Sequence, residues 1–173
     1  MIKFKIVLLA LVSLVVSACA QEKTVFPQEA LSAKLMSKND VSFTLGDVLK
    51  KHQGKTIVLD IWASWCSDCI KSLPLVKALQ NKTEKNDVVY VFLSVDRKQD
   101  RWKKAIKERN IVGDHYFVNS NLKNGGMKGA LGKAIDLNWI PRYMVVGKNG
   151  TIKLYNAIKA DDKKIIEAIN ADK

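Results

Sequence analysis

Cysteine is scarce in this chain, with residues at positions 19, 66 and 69 only. Three thiols are too few for the disulfide framework that holds up small secreted folds. Histidine is scarcer still, at His52 and His115, far apart and unpaired along the sequence. A structural zinc site wants four ligands, usually as two closely spaced pairs, so a metal knuckle is disfavoured. Each His reads as an ordinary surface or loop residue. The main apolar run, Ile6 to Val16, is broken by Ser13 and is too short to span a bilayer comfortably. No block of five or more like charges occurs, and there is no internal repeat or low-complexity tract.

What is present fits one globular domain. The 173 residues are 47% hydrophobic and 27% charged, enough for a single sizeable core. There are 29 basic and 17 acidic residues, giving a net charge of +12. The bases are scattered, as at Lys103-Lys104, Lys123, Lys128, Lys133 and Lys163-Lys164. They read as a solvated basic surface, open to anionic membranes or acidic partners.

Residues 1–18 have the layout of an export signal: Lys3 and Lys5, then the apolar run, then Ser17 and Ala18. Its removal would take Lys3 and Lys5 and leave +10. Outside the cytoplasm nucleic acid is not an expected partner. Val16-Ser17-Ala18-Cys19 resembles a bacterial lipobox. That resemblance implies acylation of Cys19 and a lipid anchor in the cell envelope, facing the periplasm. Ordinary cleavage after Ala20 is the alternative. Residues 19–40, polar and mixed, read as a tether. The folded domain is expected over 41–173.

Along that domain, Val41 to Leu45 is a weak strand and Gly46 to Gly54 a short helix or turn. Lys55 to Trp62 is a β-branched apolar run, the mark of a strand buried on both faces. Cys66 to Asn81 has helical spacing at Ile70, Leu73, Val76 and Leu79, with Pro74 inside it. Val88 to Val95 is a second buried strand. A helix capped by Asp100 runs to Arg109, and His115 to Val118 forms a short strand. Asn119 to Gly126 is loop and Met127 to Ile135 a helix. Strands at Arg142 to Val146 and Thr151 to Tyr155 flank Asn149-Gly150, a hairpin signal. Asp161-Asp162 opens a last helix. Alternating strands and helices closed by an antiparallel pair predict a three-layer α/β domain.

Cys66-Ser67-Asp68-Cys69 falls on the first turn of the predicted helix. A helix N-terminus carries partial positive charge and free N–H groups, and both favour a thiolate. Cys66 is then the exposed nucleophile. Cys69, one turn on, is the resolving thiol that attacks a mixed disulfide. This chemistry needs two thiols and no cofactor.

Leu59-Asp60-Ile61-Trp62-Ala63-Ser64-Trp65-Cys66-Ser67-Asp68-Cys69, followed by Pro74 and by Ile140-Pro141 before the hairpin, resembles the thioredoxin superfamily. The long stretch from Cys69 to Pro141 resembles its exported TlpA-like branch. The resemblance implies a three-layer α/β/α sandwich with a mixed sheet, and a redox-active Cys66–Cys69 disulfide. It implies that Asp60 is a buried acid beneath Cys69, where a raised pKa lets it exchange a proton. Trp65 would shield the site and pack on substrate. Ile140 and Pro141, a cis-proline loop, would pair with an extended client. The partners it implies are client proteins with disulfides and a membrane thiol electron donor.

Two residues bear on direction. Ser72 stands where many TlpA-like proteins have Glu, which weakens any inference to apocytochrome c as client. Asp68 puts a carboxylate beside the pair, and a carboxylate within about 6 Å disfavours a thiolate. A less stable thiolate makes the dithiol the better electron donor, so a reductase is expected. The alternatives are a dithiol oxidase or isomerase, a thiol peroxidase, and a non-catalytic peptide-binding lipoprotein.

Overall fold

The computed structural model describes residues 23–118 and 126–172. The expected export signal, Cys19 and most of the expected Asn119 to Gly126 loop lie outside the described residues. The chain runs α1 (Gln28–Leu31), β1 (Lys34–Ser37), β2 (Ser42–Thr44), α2 (Leu45–Lys51), β3 (Thr56–Trp62) and α3 (Ser67–Thr83). It continues through β4 (Val88–Ser94), α4 (Gln99–Glu108), β5 (Asp114–Val118), α5 (Ala130–Ala134), β6 (Arg142–Val146), β7 (Ile152–Ala157) and α6 (Lys163–Asn170).

The seven strands form one mixed sheet in the order β2-β1-β5-β4-β3-β6-β7. β3, β4 and β5 run parallel; β6 pairs antiparallel with β3, and β7 with β6. Every residue of β3 and of β6 is buried, as the continuous apolar run of a strand covered on both faces requires. In register, Asp60 lies between Phe92 of β4 and Tyr143 of β6, so the three side chains share one face. α3 covers that face: Ser72 Oγ is 2.9 Å from Tyr143 Oη, and Thr83 Oγ1 is 2.7 Å from Tyr90 Oη. α2 covers the opposite face, where Lys51 reaches Asp114. Helices on both faces of a mixed sheet make the expected three-layer α/β/α sandwich. No helix among the described residues is long and apolar enough to cross a membrane.

The expected tether over 19–40 is a difference. Its described part belongs to the fold: β1 inserts between β2 and β5, and Ile152 N–H donates to Thr24 O. Phe26, Ala30, Ala33 and Leu35 are buried. The reason is economy of burial, because β1 hides only Leu35 fully and leaves Lys34 in water. Two adjacent apolar residues, Leu35 and Met36, in a four-residue strand give no readable alternation. The domain therefore starts near residue 24, not at Val41.

Smaller differences have similar causes. The helix expected from Asp100 begins at Gln99, and its N-cap, Lys98, makes no side-chain cap bond. The Met127 to Ile135 helix is split into a 3-10 turn over Gly126–Lys128 and α5. Gly132 explains the split, because a Cβ there would come within 1.8 Å of Met127 O.

Neither His is an idle surface residue. His52 Nε2 lies 2.9 Å from Asp114 Oδ2. His115 is buried on β5, stacked on Phe92 with ring centroids 4.9 Å apart. Its Nε2 is 2.8 Å from Ile111 O, whereas its Nδ1 is buried without a partner. Burial pushes its pKa down to about 4 from an ordinary 6.5. Because the unfolded chain binds this proton more readily, stability is full above the unfolded value and is lost as pH falls from 6.5 through 4. The loss should reach roughly 3 kcal/mol at the acid end. His115→Phe, which keeps the stack on Phe92, should flatten this slope in urea unfolding measured from pH 7 to 4. An unchanged slope would place the acid sensitivity elsewhere.

Candidate active site

β3 ends at Trp62, and the chain reverses into α3 within four residues. The turn is tied to the end of β4. Val95 N–H donates to Trp62 O at 2.9 Å, and Cys66 N–H to Ala63 O at 3.1 Å. Asp96, fully buried, accepts from Ser64 N–H at 2.9 Å, Ser64 Oγ at 2.6 Å and Ser94 Oγ at 2.8 Å. A carboxyl saturated by three donors is a rigid anchor. It fixes the loop two residues before Cys66.

Cys66 is the N-cap of α3, and its Sγ accepts the Cys69 N–H at 3.1 Å. Cys66 and Cys69 are joined as a disulfide, with Cα atoms 5.3 Å apart. Both are largely buried, but Cys66 lines an open groove of about 390 Å³. Trp65 and Trp139, each more than half exposed, stand on its rim with Met127, Asn138 and Ile140. Two wide apolar rings beside a sulfur can grip an extended chain while its disulfide meets Cys66.

Ile140 O lies 3.7 Å from Cys66 Sγ, which puts the loop before β6 against the nucleophile. The Ile140-Pro141 peptide bond is cis. The expected substrate-side pair therefore splits in geometry. Ile140 lines the groove and Pro141 is buried behind it.

Asp60 is buried at 3% exposure, and its Oδ1 has no hydrogen-bond partner. Desolvation raises its pKa from 3.8 to about 8. The carboxyl is then mostly protonated at neutral pH and able to exchange its proton within the working range. On the same face, Tyr143 Oη meets Ser72 Oγ, which donates to Cys69 O at 2.8 Å. Ser72 thus supports the first turns of α3 through the Cys69 carbonyl. Asp68 stays exposed at the groove edge.

Sequence reasoning missed three contributors. Asp96 acts through long-range hydrogen bonds that leave no local pattern. Trp139 is flagged only by being a large ring one residue before Ile140-Pro141. Arg142 is buried with no carboxylate partner. Its Nη2 donates to Asp136 O at 3.2 Å and to Asn138 Oδ1 at 3.0 Å, which holds the segment that carries Trp139.

A disulfide at the N-terminus of a helix, opening on a groove, on a mixed sheet between helix layers, defines an α/β protein with a dithiol–disulfide redox site. Residues 54–152, more than half of the chain, match the Thioredoxin-like family model. The chain belongs to that family. It is 29% identical over 63 residues to the thiol-disulfide oxidoreductase ResA of Bacillus cereus, covering 36% of each chain. The chain matches less than half the length of the first curated relatives it resembles. Among solved structures it resembles the thioredoxin domain of a thiol-disulfide oxidoreductase from Bacteroides vulgatus. There the TM-score is 0.66 at 19% identity, covering 86% of this chain and 95% of that one. A thiol:disulfide interchange protein from Bacteroides sp. matches with a TM-score of 0.65 at 20% identity, over 84% and 86%. At these identities the likeness speaks for the fold.

The two buried carboxyls should separate by experiment. For Asp60 the folded state holds the proton more tightly than the unfolded chain, so stability declines as pH rises from about 4 to 8. Relative to Asp60→Asn, which cannot ionise, the native protein should lose on the order of 5 kcal/mol across that range. Parallel stability curves would contradict a buried, neutral Asp60. Asp96→Ala strands three donors and should cost about 2–4 kcal/mol in urea unfolding at neutral pH.

Proposed function

We propose that the protein is a cell-envelope thiol–disulfide oxidoreductase that reduces disulfides in client proteins through Cys66 and Cys69. The observation that carries this reading is the position of the Cys66–Cys69 pair. It sits at the N-terminus of α3, facing a groove of about 390 Å³ rimmed by Trp65 and Trp139, with the Asp60 carboxyl buried in the adjoining strand.

The Cys66 thiolate attacks one sulfur of a client disulfide. A Cys66–client S–S bond forms, the client S–S bond breaks, and one client thiolate leaves. Cys69, its proton taken up by the ionised form of Asp60, which a pKa near 8 keeps within reach of neutral pH, then attacks Cys66 Sγ. The Cys66–Cys69 bond forms and the second client thiolate leaves, so the client gains two electrons, and its two thiolates take one proton from Asp60 and one from solvent. The N–H of Cys69 and the helix N-terminus hold the Cys66 thiolate. Trp65, Trp139 and the Ile140 carbonyl bind the client backbone. A membrane thiol donor returns the pair to the dithiol.

Reduction is favoured over oxidation because Cys66 is largely buried beside apolar rings and Asp68 adds negative charge at the groove edge. Both weaken the thiolate, and a weaker thiolate raises the electron-donating power of the dithiol. The lipobox resemblance at Cys19 supports an anchored protein facing the periplasm.

Trapping tests the exchange. In Cys69→Ala, Cys66 should accumulate client proteins as mixed disulfides that mass spectrometry can identify. An empty trap would remove the reading. Titration of thiolate absorbance tests the direction. Cys66 should ionise near or above neutral pH, and a pKa well below neutral would overturn the reductase assignment.

A further inference from the structure

Trp65 divides two hollows. One is the Cys66 groove. The other, about 440 Å³, is lined by Trp65, Asp96, Arg97, Lys98 and Arg101. The indole is therefore a wall common to the redox site and to a basic pocket. Arg97, Lys98 and Arg101 are all exposed. Among the described residues none of the three is in an ion pair. Bases further along the same helix are engaged: Lys103 with Asp40 at 2.9 Å, and Lys104 with Glu108 at 3.7 Å. The acid inside the hollow, Asp96, is taken up by Ser64 and Ser94. The remaining acids near this rim, Asp68 and Asp100, are exposed, Asp68 across Trp65 and Asp100 on the first turn of α4.

We infer that this basic pocket selects client segments carrying Asp or Glu close to the cysteine that Cys66 attacks. The inference rests on the thiol–disulfide exchange proposed above and names the chemistry of its substrate. A client strand lying in the Cys66 groove and continuing past Trp65 arrives at three cations. Arginine presents a planar fork that matches a carboxylate in bidentate fashion, and two of the three cations are arginines. The cations sit on the rim of a concave site rather than on a flat or convex face. That geometry favours an acidic peptide over a lipid surface as occupant. Rim charges act mainly on association rate and on its salt dependence.

The test uses short peptides with one disulfide, flanked by Asp, by Lys or by neutral residues. The charges are placed before the attacked cysteine in one series and after it in another. The rate of reduction by the dithiol form is followed. In one of the two placements, Asp-flanked peptides should react about tenfold faster than Lys-flanked ones at low salt. The gap should shrink to less than about twofold near 1 M salt. Arg97→Glu with Arg101→Glu should reverse the ranking and keep the rate on the neutral peptide. Glu at 101 in the first turn of α4 suits the helix dipole and position 97 is exposed just before the N-cap, so the variant is expected to fold. Equal rates for all three peptides, with exchange intact, would overturn the pocket and leave the proposed activity standing. A variant that lost only binding to anionic phosphatidylglycerol vesicles, with the peptide ranking unchanged, would also overturn it. No reduction of even the neutral peptide would remove the exchange reading, and this inference with it.

Discussion

The structure depends on β3 being buried along its whole length and then ending abruptly. The seven residues from Thr56 to Trp62 are enclosed by β4, β6 and helices on both faces. Such a strand has no freedom of register, because a slip by one residue would drive Asp60 and its neighbours to the opposite face. The fixed strand end fixes the start of α3. It sets where Cys66 meets the helix N-terminus and where the Ile140 carbonyl, carried in by β6, meets its sulfur. A redox pair needs its sulfurs placed to within about an ångström, and β3 supplies that precision through backbone pairing on two sides.

Two aspartates near this strand end show how environment divides one residue type into two roles. Asp96 has three donors and works as a bolt on the Ser64 turn. Asp60 has a buried oxygen with no partner and a pKa near 8. An unsatisfied buried carboxyl is costly, and a chain selected for stability alone would replace it. Its place beside the helix that bears the cysteines suits the proton exchange of the proposed cycle, in which stability is given up where a proton has to move.

Much of this was legible in the sequence, for physical reasons. Lys55 to Trp62 announces itself because a strand covered on both faces must be apolar throughout. Cys66 and Cys69 are legible because a helix start, a three-residue spacing and a preceding buried strand are all local features. Pro141 is legible from its place before the hairpin. β1 is not legible, since it fully buries only Leu35, next to a half-buried Met36, and gains its place by pairing with β5, far along the chain. Asp96 and Arg142 are opaque for the same reason, because their partners are distant carbonyls and hydroxyls. His115, at the start of an expected short strand, still reads as a surface residue until that strand is seen to lie beside β4.

The groove in front of Cys66 is assembled from segments far apart in sequence: the β3–α3 turn, the stretch around Met127, and the Asn138 to Ile140 loop held by Arg142. Only the first carries the redox pair; the others shape what reaches it. The central claim is that Cys66 and Cys69 form one two-electron unit that donates electrons. Equilibration with defined glutathione mixtures, followed by alkylation and mass analysis, tests it most directly. The account predicts a single transition in which both thiols react together, at a potential below roughly −200 mV. A transition near −120 mV, or independent oxidation of the two cysteines, would contradict it.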